Sequence, residues 1–303
     1  MTRITEICRR HEKPMEGSVQ AMKTGLVMEG GAMRGMYTAG VLDTFLDEGI
    51  RVDGVVGVSA GAIFGVNYVS EQRGRTLRYS QRFNGDKRYM GYGNLLKTGN
   101  IVNTEFAYGT MPRELDIFDE ETYEASGMQF TAVVTNLDTG EAEYLSVGNV
   151  YEQMDTLRAS GSMPFFSQPV PIGEKRYLDG GVADPIPYEK ALELGYDRLI
   201  VVLTQDITYR KKAMSPLLIR TFYHKYKAFE QALIHRHTAY NESVEHLHAL
   251  REEDPARFFI IQPSVPIVIG RLEKDPAELQ RVYDIGASDC HAAMGELKDW
   301  LAE

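Results

Sequence analysis

Only two cysteines occur in 303 residues, Cys8 and Cys290, and they lie near opposite ends. Two such distant thiols make no disulfide framework, and free thiols in a reducing compartment are the expectation. Long apolar runs are missing too. No stretch of about 18 apolar residues occurs, so no helix is expected to span a membrane. The first 23 residues are polar and basic and contain no apolar h-region, so no secretory signal is expected. There is no internal repeat and no low-complexity tract. Positive charge is in deficit: Lys and Arg total 33 against 43 Asp and Glu, a net charge of −10. Such a chain has no global attraction for nucleic-acid phosphates, which argues against a nucleic-acid partner but leaves a local basic patch open. Together these absences describe a cytoplasmic protein, either free or held peripherally at a membrane.

What is present is a sizeable apolar fraction, 43% of residues, enough for one large α/β domain or two small ones. Residues 25–29 and 51–58 read as buried strands. Between them Met36, Tyr37, Val41, Leu42, Phe45 and Leu46 recur at helical spacing. A second helix is expected over 60–72, which completes a βαβ unit with parallel strands and a right-handed crossover. Residues 73–127 carry only short periodic runs, and a pocket wall, a lid and surface padding all remain open for them. A hairpin of strands 128–135 and 141–147 turns at Asp138-Thr139-Gly140. A helix over 150–160 follows, then a second hairpin (168–172 and 175–178), a short helix over 188–194 and a buried strand over 198–204. Residues 215–254 read as mainly helical, 257–262 as a last strand and 276–301 as a last helix. This alternation predicts a three-layer α/β/α sandwich around a mostly parallel central sheet. The expected organisation is a polar extension over 1–23, a core domain over 24–205 and a mainly helical region over 206–303 packed on that core.

Two glycine-rich turns carry the chemistry. Gly57-Val58-Ser59-Ala60-Gly61, between a strand and a helix, has the Gly-x-Ser-x-Gly pattern of a nucleophile elbow. Small neighbours let the chain turn sharply, so that Ser59 projects at the carboxyl end of the sheet, facing the positive end of the following helix. The earlier turn, Glu29-Gly30-Gly31-Ala32-Met33-Arg34-Gly35, offers successive backbone N–H groups with little side-chain obstruction. Gly30, Gly31 and Ala32 are candidate oxyanion donors, worth typically about 3 kcal/mol each, and Arg34 adds positive charge. The same turn is compatible with a phosphate cradle, and Asp53 lies about where a ribose-binding acid would. That reading leaves the serine turn unexplained.

A base must come from elsewhere in the chain. Five of the seven histidines fall in the helical stretch, with His224, His235 and His246 spaced by eleven residues, as are His237 and His248. Neighbours at that spacing share a helix face but stand roughly 16 Å apart, too far for one triad. Asp179 is the better candidate. It ends a strand and precedes Gly180 and Gly181, at the sheet edge where sites of open α/β folds gather. A turn-capping aspartate would look the same.

Taken together, the turn at 30–35, the elbow at 57–61, the stretch Ala159-Ser160-Gly161-Ser162-Met163-Pro164-Phe165-Phe166 and Asp179-Gly180-Gly181 resemble the patatin-like phospholipase family over about residues 25–205. The resemblance implies a catalytic domain with a Ser–Asp dyad on the three-layer fold. Ser59 would be the nucleophile and Asp179 the general base, with Gly30, Gly31, Ala32 and Arg34 at the oxyanion hole. It implies hydrolysis of acyl esters of phospholipids, lysophospholipids or glycerides, with no catalytic metal and no cofactor. Ala32 departs from the family's usual third glycine. The tail from about residue 204 is similar to that of bacterial patatin-like esterases. Two readings stay open for residues 215–233, where Leu218, Phe222, Tyr226 and Phe229 fall on one face among Arg220, Lys225 and Lys227: a helix resting on an anionic membrane, or a core helix with a solvated basic side. The rival from another class is a non-catalytic protein that binds a fatty acid or a nucleotide.

Overall fold

Strand β1 (Thr24–Met28) is buried along its whole length, as are β2 (Gly54–Val58) and the strand at Arg198–Val202. Residues buried on both faces alternate between two cores. Leu26, Met28, Val55, Ile200 and Val202 face one, and Val27, Val56, Val58, Leu199 and Val201 face the other. This is the signature of a sheet covered on both sides. The computed structural model describes residues 22–303; Cys8, His11 and nearly all of the polar extension lie outside the described residues.

After β1, a 3₁₀ turn (Ala32–Arg34) leads into α1 (Gly35–Asp47), and β2 leads into α2 (Ala60–Val69). Then follow α3 (Arg75–Phe83), α4 (Tyr92–Thr98), a π-helical segment (Phe106–Leu115) and α5 (Glu120–Ala125). Strands β3 (Gln129–Asn136) and β4 (Ala142–Ser146) form the first hairpin. Helix α6 (Met154–Ser160) is shorter than the sequence suggests, because Val150 to Gln153 form a turn. The second hairpin is β5 (Val170–Ile172) and β6 (Lys175–Asp179), followed by α7 (Tyr188–Glu193) and β7 (Arg198–Val202). The chain ends with α8 (Pro216–Tyr223), α9 (Lys227–Glu253), β8 (Phe258–Ile261) and α10 (Pro276–Ala302).

The eight strands of the described residues form one sheet. Strands β3, β2, β1, β7 and β8 are neighbours in that order and parallel, whereas β4, β5 and β6 are antiparallel to their partners. Helices α1, α2 and α10 cover one face, and α7 and α9 cover the other. The three-layer α/β/α architecture with a mostly parallel sheet is therefore as expected. Residues beyond 205 supply β8 at the sheet edge and one long helix to each outer layer.

The stretch 215–254 is not one helix. It breaks over residues 224–226. Tyr223 and Phe229 are six residues apart, about 120° around a continuous helix. The break lets both join one cluster with Leu137, Leu178 and Val182, their rings 4.9 Å apart. His224 therefore caps α8 and shares no face with His235 and His246. Leu218, Phe222, Tyr226 and Phe229 likewise do not form a single stripe: Phe229 is buried, while Leu217, Leu218 and Phe222 are exposed on α8.

Helices α1 and α10 approach closely because each presents a glycine to the other. A Cβ on Gly286 would lie 2.0 Å from the Tyr37 carbonyl oxygen, and one on Gly40 would lie 2.1 Å from that of Tyr283. Gly286→Ala should therefore destabilise the fold by about 2–3 kcal/mol through overpacking against backbone. On the same helix Gly295 is exposed with open space around it, and Gly295→Ala should stabilise by about 0.5–1 kcal/mol through helix propensity. Guanidinium unfolding of the two variants checks both signs.

Candidate active site

Strand β3 is the meeting place of the site. Its residues 131–133 pair with β2 on one side and β4 on the other, and residues 134–135 pair with β4 and with β6. A strand has two edges, so β6 occupies the same edge as β2, and the two strands end against each other there. Val58 pairs with Val133, and Asp179 pairs with Val134. Ser59, the next residue after β2, is thereby brought against Asp179, 120 positions further along the chain. The Ser59 hydroxyl donates a 2.6 Å hydrogen bond to Asp179 Oδ2. Both residues are nearly buried, at 7% and 4% exposed.

The other Asp179 oxygen, Oδ1, accepts from the Gly181 amide at 2.8 Å. The Asp179 amide donates to the Ser162 carbonyl, and its carbonyl accepts from the Thr135 hydroxyl. Gly180 has to be glycine, since a Cβ there would lie 2.2 Å from the Val133 carbonyl oxygen. The carboxylate is thus held on every side.

Ser59 itself adopts φ 54°, ψ −119°, a strained conformation for a non-glycine residue that costs on the order of 1–3 kcal/mol. Ala32 (φ 49°) and Phe165 (φ 70°) in the surrounding walls also have positive φ. Gly30 lies directly against the serine: its Cβ, if present, would stand 2.8 Å from Ser59 Cβ. Gly35, Gly57 and Gly61 make similarly tight approaches to Ala60, Ala62 and the Met28 carbonyl. The amides of Gly30, Gly31 and Ala32 have no hydrogen-bond acceptor among the described residues. Asp53, by contrast, accepts from the Thr24 amide at the opposite end of β1. It plays no part in this turn, which removes the support for a ribose-binding reading.

Two cavities meet at Ser59. One, of about 120 Å³, is apolar and is walled by Ile63, Phe64, Tyr79, Met111, Leu157 and Met163. Residues from the 73–127 stretch form much of it, so that stretch is pocket wall rather than padding. The other, of about 340 Å³, is lined by Ser59 and Asp179 together with Arg34, Lys211, Arg236 and Arg271. A hydroxyl bonded to a buried carboxylate, beside unpaired amides and between an apolar and a basic cavity, can be deprotonated as it attacks a carbonyl. No histidine hydrogen-bonds Ser59 or Asp179 among the described residues; His237 lines the larger cavity, with its Nδ1 3.1 Å from the Ile234 carbonyl.

Several site residues had no sequence signal of their own. The Ser59 amide donates to Ser160 Oγ at 2.9 Å; Ser160 lies in the stretch that carried the family resemblance, but nothing there singled it out. Buried Glu29 accepts from the Thr204 amide (2.6 Å) and the Tyr240 hydroxyl (2.9 Å), tying the first glycine turn to β7 and α9. Arg236 donates to the Gly181 carbonyl. Lys211 Nζ sits 3.9 Å from the centre of the Tyr240 ring, and its backbone is clamped by the Asn241 side chain. Burial, then the nearby Arg236 and Arg34, push the Lys211 amine down to about 7 against the opposing pull of Glu29 and Asp179.

A sheet covered on both faces, with a strained serine at the carboxyl end of one strand and a buried carboxylate on its hydroxyl, defines an α/β/α protein of the serine-elbow class. Comparison with known proteins narrows this. The model of the patatin-like phospholipases matches residues 26–192; the chain belongs to that family. A second model, described only as a domain of unknown function, matches residues 226–302. The uncharacterised protein YjjU of Escherichia coli is 29% identical over 61% of this chain and 53% of its own length. Lysophospholipase nte1 of Emericella nidulans is 28% identical over 59% of this chain but only 12% of its own. The probable lipid hydrolase 463L of Invertebrate iridescent virus 6 is 25% identical over 61% and 71%. The chain thus spans about half the length of the first of these relatives and about an eighth of the second. Among solved structures, VipD from Legionella pneumophila is similar at a TM-score of 0.45 and 14% identity, over 90% of this chain and 67% of that one.

The depressed Lys211 gives a test of the electrostatics. Its amine titrates lower in the folded protein than in the unfolded chain, where lysine is near 10.4. Its charge is therefore destabilising in full below about pH 7, and the penalty is relieved as pH rises from 7 towards 10.4. Lys211→Met should raise the thermal midpoint at pH 6–7, by an increment that shrinks towards zero near pH 10. Differential scanning calorimetry across that range measures it.

Proposed function

We propose that this protein is a lipid acyl hydrolase that uses Ser59 as nucleophile and Asp179 as general base. The observation that carries the reading is the 2.6 Å hydrogen bond from the serine hydroxyl to a buried carboxylate. As Ser59 Oγ attacks the ester carbonyl, its proton passes to Asp179. The oxyanion forms beside the amides of Gly30, Gly31 and Ala32, with Arg34 close by. Collapse of the tetrahedral intermediate breaks the bond to the alcohol, which takes the proton from Asp179 and leaves. Water then attacks the acyl-enzyme, giving up its proton to Asp179. The acid departs, and the proton returns to Ser59 Oγ. Atoms and charge balance over the cycle, and no residue outside the dyad changes protonation state.

A lipid ester is favoured by the family, by two relatives whose names describe lipid hydrolysis, and by the apolar cavity beside Ser59. Leu217, Leu218 and Phe222 are exposed on α8, and Phe222 packs edge-on against Phe165 in the larger cavity's wall. That ridge supports peripheral contact with a membrane surface, from the cytoplasmic side, as the route by which substrate arrives.

Ser59→Ala and Asp179→Asn should each lower kcat for p-nitrophenyl butyrate by about 10³-fold or more, with thermal midpoints close to that of the unmodified protein. Retention of full activity by Asp179→Asn, together with loss on His237→Ala, would refute the dyad.

A further inference from the structure

The larger cavity is far more basic than a chain of net charge −10 would suggest. Arg34, Arg210, Lys211, Lys212, Arg236 and Arg271 all line it. Arg210 is 3.5 Å from Glu245 on the outside. The other five have no carboxylate at ion-pair distance among the described residues. Among the described residues only two carboxylates line the cavity, Glu29 and Asp179, and both are already engaged, by Tyr240 and the Thr204 amide and by Ser59 and the Gly181 amide. Arg34 Nε is buried without a hydrogen-bond partner among the described residues. Charges of one sign gathered in a partly desolvated space repel one another, and a bound anion relieves that cost. Burial first, and then repulsion from neighbouring cations, pushes both the Lys211 and the Arg236 cations down, against the pull of Asp179.

The basic and apolar cavities share Ser59, Ala32, Met163 and Arg271. An ester held at Ser59 therefore has two sides with different demands. One side meets Ile63, Phe64 and Leu157 and suits a hydrocarbon chain. The other meets Lys211, Arg236 and Arg271 and suits a compact anion. A cationic head would meet like charges and two carboxylates that are already engaged. About 340 Å³ accommodates a glycerol phosphate.

Resting on the hydrolase reading above, we propose that the substrate is an acyl ester whose alcohol portion carries an uncompensated phosphate, an acidic lysophospholipid or phospholipid, with the phosphate held by Lys211, Arg236 and Arg271 in the basic cavity. Choline and ethanolamine lipids, whose ammonium cancels the phosphate charge, are selected against.

The test uses the full chain and three monomeric octanoyl esters that differ only in the head: 1-octanoyl lysophosphatidate, 1-octanoyl lysophosphatidylcholine and 1-octanoylglycerol. The acidic ester should have a kcat/KM about tenfold or more above the other two, which corresponds to a single good charge contact. Lys211→Gln and Arg271→Gln should each lower that ratio about three- to tenfold, mainly through KM for the acidic ester. Inorganic phosphate should compete with it. Equal kcat/KM for the three esters, or a ratio indifferent to both substitutions, overturns the proposal. If phosphate alters cleavage of p-nitrophenyl butyrate while the three esters are cleaved equally, the cavity takes free phosphate, and the headgroup assignment is again overturned. A fluorophosphonate probe separates the two levels. Labelling of Ser59 with no acidic preference defeats this inference alone, whereas absence of labelling and of all ester cleavage defeats the hydrolase reading beneath it.

Discussion

One edge of β3 is shared by two strands, and the site follows from that sharing. β2 runs parallel to β3 and stops at Val58; β6 arrives antiparallel on the same edge and stops at Asp179. Their ends must therefore abut. A parallel strand ends towards the carboxyl side of the sheet, where the following helix begins, and an antiparallel strand entering that end delivers its last residue to the same point. Ser59 and Asp179 thus meet through backbone pairing rather than through a flexible loop. Backbone pairing also fixes their separation more tightly than side-chain packing alone would.

Holding Ser59 there is costly, and the cost is offset locally. With φ at 54° the residue needs its surroundings to over-determine it. They do. Its amide donates to Ser160, its carbonyl accepts from the amides of Ala62 and Ile63, and its hydroxyl donates to Asp179. Every polar group on the residue is used. Ala32 represents a smaller strain of the same kind: a methyl-bearing residue in the left-handed region costs roughly 1–2 kcal/mol, which accounts for a preference for glycine there. The backbone amide remains, so the substitution changes stability more directly than it changes what the turn offers a ligand.

How far the sequence foretold this depended on how local each signal was. Ser59 was legible because its flanking glycines sit within two residues of it, and the same held for the turn at Gly30. The alternation of strands and helices, and hence the layered fold, was legible because periodicity is a property of a short window. Asp179 was visible only as one of two readings, a base or a turn cap, since nothing within its own window reports that β6 shares an edge with β2. Ser160 was hidden inside a recognised stretch. The break at 224–226 was invisible because the pattern on either side is helical; tertiary burial of Tyr223 and Phe229 in one cluster decides it. The basic cavity was least legible of all. Its cations come from four separate segments, and the overall acidic charge points the other way.

Net charge is a poor guide to the field inside a cleft, and α9 shows why. The helix lies wholly beyond residue 192, where the match to the family's model ends. Yet it touches each part of the site. Arg236 donates to the Gly181 carbonyl beside the carboxylate, Tyr240 bonds Glu29 at the base of the first glycine turn, and Asn241 clamps the loop bearing Lys211. These three residues lie within six positions, less than two helical turns, so they approach the cavity from one direction. The acidic residues that set the net charge lie elsewhere: of the described carboxylates, Glu29 and Asp179 alone line this cavity. On the mechanism proposed above, residues 24–205 would supply the reacting groups, while residues 206–303 would set much of the potential in which they work. On this division of labour, relatives that share the serine elbow and the carboxylate but lack a helix in this position would keep the chemistry and differ in the heads they accept.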